Sequence, residues 1–76
     1  MKRDTLRKLG QARPFRPFAL ELWDGARVRV SHPEVLFLPP TNPHMAVVAM
    51  PHGGVRLVEL PKVRAVALDA PAKHRA

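Results

Sequence analysis

The sequence contains no cysteine. That excludes a disulfide framework, a thiolate nucleophile and any Cys-ligated zinc or iron–sulfur site. It also lacks a long apolar run. The longest, residues 35–40 and 45–51, are strand length and fall far short of the roughly 18 residues a membrane-spanning helix needs. Met1-Lys2-Arg3 is followed by Asp4-Thr5-Leu6-Arg7-Lys8 and not by an apolar stretch, so no secretory signal is read, no membrane partner is expected and a cytoplasmic location is. Chain length is scarce as well. Seventy-six residues allow one domain, and a chain of that size buries only roughly 60% of its unfolded surface. Little is left to wall off a dry catalytic cleft.

Acidic residues are few, 6 against 13 lysines and arginines, for a formal net charge of +7. Such an excess suggests a polyanion partner. Its placement is uneven. Residues 1–16 carry Lys2, Arg3, Arg7, Lys8, Arg13 and Arg16 against Asp4, and residues 61–76 carry Lys62, Arg64, Lys73 and Arg75 against Asp69. Between them, Arg27, Arg29 and Arg56 face Glu21, Asp24, Glu34 and Glu59. The charge therefore sits on the two ends, which makes Lys2, Arg3, Arg7, Lys8, Lys73 and Arg75 the candidate phosphate contacts.

Nine prolines leave no room for a long helix. One short helix is expected over residues 4–9, with Asp4 as N-cap, Leu6 and Leu9 on one face, and Gly10 in the left-handed position past its end. Arg13-Pro14-Phe15-Arg16-Pro17-Phe18 repeats a three-residue unit. With three residues per turn, Phe15 and Phe18 share one side and Arg13 and Arg16 another. The segment reads as a stiff connector whose phenylalanines plug the core, or as a proline-rich recognition motif.

Phe18, Leu20 and Leu22 alternate with more polar residues, as do Ala26, Val28 and Val30. A two-residue Asp24-Gly25 turn would oppose Leu20 to Arg29. A three-residue loop, Trp23-Asp24-Gly25, opposes Leu20 to Val28 and Phe18 to Val30, so the apolar pattern selects it. It also sets Glu21 against Arg27. His32-Pro33-Glu34 ends the second strand, and residues 35–38 form a short apolar one. A second hairpin is expected from residues 45–50 and 55–60 around a four-residue loop, opposing Val48 to Leu57 and Val47 to Val58. Both of its faces are apolar, so both are expected to be buried. Val63–Leu68 is the last strand.

The expected fold is mainly β: a short N-terminal helix, then a five- or six-stranded antiparallel meander curling into a small SH3- or Sm-like barrel or half-barrel. Residues 1–12 form a basic helix and linker, 13–69 the β-body and 70–76 a flexible tail of one small domain.

Arg13-Pro14-Phe15-Arg16-Pro17-Phe18, Asp24-Gly25, His32-Pro33-Glu34 and Val58-Glu59-Leu60 resemble a group of small bacterial proteins sharing an R-P-F-x-P-F start, a D-G turn and an H-P-E stretch. The resemblance covers residues 6–68 and implies a β-rich domain without implying an activity. The element order is also similar to Sm-like RNA-binding barrels. His32-Pro33-Glu34 and Leu60-Pro61-Lys62 stand where that family carries its uridine-binding motifs, so the resemblance there extends to topology alone.

Candidate chemistry is sparse. His32, His44, His52 and His74 show no metal-ligand spacing, and His32 with Glu34 would need a third ligand such as His52. Each carboxylate has a structural task available as cap, turn or cross-strand partner. Ser31 is the one serine, and Gly53-Gly54 lacks the strand–loop–helix setting of a phosphate cradle. No catalytic residue, cofactor or metal site is read, and the chain is expected not to be an enzyme. Trp23 at the hairpin tip either anchors a partner or folds back on the Leu6/Leu9 helix, the reading preferred from sequence. Arg13, Arg16 and Arg27 are the other candidate partner contacts. Two functions follow: self-association or protein interaction through doubly apolar strands, and nucleic-acid binding through the basic ends.

Overall fold

A computed structural model describes residues 1–68; Asp69, Lys73, His74, Arg75 and the expected tail lie outside them. The N-terminal helix is longer than the sequence suggests. α1 spans Arg3–Gln11, with Lys2 as N-cap and Asp4 inside the first turn. There Asp4 complements the helix dipole and pairs with Arg7 and Lys8. Gly10 belongs to the helix and is not its left-handed terminator. A β-carbon on Gly10 would stand 3.2 Å from Leu36 Cδ2, so its small size serves the close approach of helix to sheet. Leu6 is fully buried and Leu9 packs against the core. The Met1 amino group donates to the Leu60 carbonyl and the Arg3 guanidinium to the Leu38 carbonyl, which ties α1 to both halves of the β-body.

Six strands follow: β1 (Phe18–Leu22), β2 (Arg27–Val30), β3 (Leu36–Phe37), β4 (Met45–Ala49), β5 (Val55–Glu59) and β6 (Val63–Leu68). All pairings are antiparallel, in two three-stranded sheets ordered β2-β1-β6 and β3-β4-β5. The expected meander is thus interrupted. β6 returns to β1, and among the described residues no ladder joins β2 to β3 or β5 to β6. The breaks fall at 3-10 turns, Pro33–Val35 and Leu60–Lys62, where proline removes an amide that a continuous ladder would use.

The first hairpin has the expected register, Phe18 opposite Val30 and Leu20 opposite Val28. Gly25 takes φ 90° and donates to the Leu22 carbonyl, while Leu22 N–H donates to Ala26. Asp24 Oδ1 accepts from Ala26 N–H at 2.9 Å, an Asx contact that fixes the loop. The second hairpin differs from expectation by one residue: Ala46 faces Val58, Val47 faces Leu57 and Val48 faces Arg56. Its loop repeats the first one. Gly53, at φ 94°, donates to Met50, and Met50 donates to Gly54.

These equivalences extend along the chain. Gly25 and Gly53, Val30 and Val58, Pro33 and Pro61, and Val35 and Val63 keep one common spacing. Each half is a hairpin, a 3-10 turn and a third strand, and each third strand joins the other half's sheet. The exchange interlocks the halves around one core of Leu6, Phe18, Leu20, Val30, Val48 and Val58, among others. Phe15 packs on Phe18 with ring centres 6.0 Å apart, the plugging role expected for the Arg13–Phe18 segment, in which the Arg13–Pro14 peptide is cis.

Candidate interaction surfaces

The two sheets turn opposite characters to solvent. In β3-β4-β5, Ala46, Val48 and Val58 point inward and are buried. Period-two alternation sends Val47, Ala49, Val55 and Leu57 outward, with Phe37 opposite Val47 on β3. Phe37 is 58% exposed and Val55 and Leu57 62% each. The row Phe37–Val47–Leu57 crosses all three strands, and Ala49–Val55 extends it. The apolar second face expected to be buried is open: 68 described residues form one layer of core, and that layer covers only the inner face.

In β2-β1-β6, arginines occupy the outer face. Arg27 and Arg64 each stand 3.5 Å from the Glu21 carboxylate, and Arg29 lies opposite Ala19 beside them. Arg64 belongs to the basic end in sequence and to the β1 neighbourhood in space. The register shift between Glu21 and Leu22 in the β1–β6 ladder is what gives Arg64 its position. Trp23 does not fold back on α1. Its side chain is 70% exposed, its backbone N–H donates to the Lys62 carbonyl, and the Arg64 guanidinium carbon lies 5.9 Å from its ring centre.

The other sequence-derived candidates are scattered. Lys2 is exposed. Arg3 is bound to Leu38, and its buried Nε has no hydrogen-bond partner. Arg7 and Lys8 both engage Asp4. The Arg7 hydrogen bond and charge, with Lys8 beside them, hold the Asp4 carboxyl below the usual carboxylate range. Arg13 and Arg16 are exposed on the connector after α1. Among the described residues no three His, Asp or Glu side chains cluster as metal ligands. His32 makes a local contact, its Nδ1 3.1 Å from Ser31 Oγ.

A groove of about 560 Å³ runs between β2 and the end of β4, with Arg27, Arg29, Ser31 and His32 on one bank and Val35, Ala49 and Met50 on the other. It exists because β3 has only two residues and leaves the end of β4 uncovered. Among the described residues no helix is long and apolar enough to cross a membrane. Comparison with protein-family models, curated proteins and solved structures gives no match.

Proposed function

We propose that this chain is a non-enzymatic interaction module that self-associates through the outer face of the β3-β4-β5 sheet. The observation that carries this is the outward row Phe37–Val47–Leu57, in which Phe37 and Leu57 are exposed and Val47 is half-buried between them. Contiguous apolar surface on a small domain marks a contact site. A second copy suits it on charge. Two molecules of net charge +7 repel one another overall, and the outward strand positions of this face hold no lysine or arginine. Its one ionised residue, Glu59, is 3.6 Å from Lys62.

Size sets the strength. Three strands about 4.8 Å apart, each rising about 3.3 Å per residue, give a footprint on the order of 250 Å². A standard stable complex buries about 800 Å² per partner. A face about a third of that size supports weak association only, well above the micromolar range in dissociation constant. Stacked through their apolar sides, the copies leave their arginine faces pointing apart. Two three-stranded sheets that share one core and exchange their third strands support reading each copy as a split small barrel.

Sedimentation velocity over micromolar to millimolar concentration tests this. Wild type should move from monomer to dimer, and Leu57→Glu should stay monomeric. A wild type that remains monomeric throughout, or a Leu57→Glu variant that dimerises equally, contradicts the proposal. Capture of a different protein on this face with no dimer would point to a heterologous partner and against self-association.

Arg27, Arg29, Arg64 and Trp23 favour a second reading, nucleic-acid binding on the opposite sheet through phosphate contacts and base stacking. It predicts affinity that falls steeply with salt and weakens on Trp23→Ala. Binding that persists unchanged through both would exclude it.

A further inference from the structure

β5 is the outermost strand of its sheet, and its edge is open. Of the other outer strands, β3 has only two residues. β6 runs beside the start of α1, across a cleft lined by Met1, Lys2 and Thr5, and β2 borders the groove against the end of β4. β5 has five residues, contains no proline or lysine, and pairs with β4 without a bulge. An edge left in that state is a template for an added strand.

The ladder fixes which of its groups are unused. Met50 N–H donates to the Gly54 carbonyl and Leu60 N–H to the His44 carbonyl, and between them Ala46 faces Val58 and Val48 faces Arg56. Antiparallel hydrogen bonding alternates, so residues 54, 56, 58 and 60 bond toward β4. Val55, Leu57 and Glu59 then turn their backbone N–H and C=O to the free edge, and among the described residues no backbone group meets them there.

A second β5 matches this edge. Laid antiparallel about a two-fold axis at Leu57, it sets Leu57 opposite Leu57, and Val55 opposite Glu59 of the other copy. Every free N–H then meets a free C=O. A shift of the axis in either direction leaves at least one of the three residues beyond the pairing. No like charges fall directly opposite, since Arg56 meets Val58 and Glu59 meets Val55. Area favours the same arrangement. The apolar face of one copy is about a third of a standard contact. Edge pairing sets two such faces side by side, with Phe37–Val47–Leu57 running on into Leu57–Val47–Phe37, and doubles the footprint to about 500 Å².

We propose that two copies pair edge to edge through β5 about this axis, joining their three-stranded sheets into one continuous sheet. The proposal rests on the reading that the partner is a second copy of this chain, and adds to it a contact on a different surface. Copies stacked through their faces keep their β5 edges, so edge pairing extends the stacked assembly and does not replace it.

Isotope-filtered NOE spectra of mixed labelled and unlabelled chains at millimolar concentration test this. Arg56 and Val58 of opposite copies form a non-hydrogen-bonded pair, with Cα atoms about 4.5 Å apart and Hα atoms in contact. Wild type should show an intermolecular contact between these two Hα atoms, which stacking through the faces does not bring together. Glu59→Pro removes one edge N–H at a backbone φ of −83°, close to the angle proline holds, and leaves Phe37 and Leu57 in place. That variant should lose the Arg56–Val58 contact and keep contacts between Leu57 and Phe37. Wild type with Leu57–Phe37 contacts and no Arg56–Val58 contact would overturn edge pairing and leave the stacked dimer standing. The reverse result would uphold edge pairing and overturn stacking. Absence of both would overturn both, and an Arg56–Val58 contact undiminished in Glu59→Pro would overturn the pairing proposed.

Discussion

Leu57 stands opposite Val47 across the β4–β5 ladder, on the side of the sheet away from the core, with 62% of its surface open. In a two-fold contact it would be buried twice, once from each copy. Burying one such side chain is worth about 1.5–3 kcal/mol, so Leu57→Glu should weaken the dimer by about 100-fold or more. An exposed edge-strand position contributes little to the monomer fold, whose stability should change by no more than about 0.5 kcal/mol. Urea titration of the monomer beside sedimentation of both proteins checks the two halves of the prediction.

Phe18 joins everything that the core holds. It is fully buried, opposes Val30 and Leu68, and carries Phe15 on its ring. Phe18→Ala should cost about 3–5 kcal/mol. A domain this small has a stability margin of comparable size, so the variant should be largely unfolded at room temperature by circular dichroism.

Gly10 offers a finer test of how α1 docks. Alanine in a helix interior is favoured over glycine by about 0.5–1 kcal/mol. The added methyl would meet the end of a partly buried leucine, Leu36 Cδ2, at 3.2 Å. A side-chain terminus on a two-residue edge strand can yield by a few tenths of an ångström. Gly10→Ala should therefore raise the denaturation midpoint slightly, and Gly10→Val, whose branches reach further into Leu36, should lower it.

Asp4 makes the stability of α1 pH-dependent. Its folded pKa lies below the unfolded value because Arg7 and Lys8 favour the ionised form. The stabilisation is fully present above the unfolded pKa of about 3.9 and is lost as pH falls through the lower folded value. Wild type should be more stable than Asp4→Asn at pH 7, and the two should converge as pH falls through the lowered folded value. A difference that persists at low pH would mean that Asp4 acts by some route other than its charge.

Glu21 holds Arg27 and Arg64 together, and Glu21→Gln should separate the two roles of that cluster. Partly exposed ion pairs are worth little, so the stability loss should be about 0.5–1 kcal/mol. Affinity for single-stranded nucleic acid, the second reading proposed above, should rise, since Arg27 and Arg64 lose the Glu21 carboxylate beside them. Thermal denaturation and oligonucleotide anisotropy on the same variant measure both.

The first hairpin was legible because one face is apolar and the other carries Glu21, Arg27 and Arg29; only one register keeps those sets apart. The second was not, because Met45, Val47 and Leu57 are as apolar as Val48 and Val58. A slip of one residue there exchanges one apolar face for another, and hydrophobic patterning cannot detect it. The signal that could have corrected it is local: Gly53 occupies the loop position of Gly25, and the Pro61 and Pro33 turns follow at the same distance. The same ambiguity led to the expectation of two buried faces where one is open. The arginine cluster was hidden for a different reason. Arg64 reaches Glu21 only because β6 returns to β1, a long-range pairing that no local pattern announces. Helix, strand positions and the plugging role of Phe15 and Phe18 were readable, since each rests on spacing or proline geometry within a few residues.

Self-association through one defined face can be observed atom by atom. In a sample mixing isotope-labelled and unlabelled chains at millimolar concentration, isotope-filtered NOE spectra record only contacts between copies. Methyl groups of Val47, Val55 and Leu57 should show such contacts with the Phe37 ring of the other copy, and those of the buried Val28 and Val30 should show none. No intermolecular contacts at that concentration, or contacts confined to the arginine-bearing sheet, would contradict dimerisation through the β3-β4-β5 face.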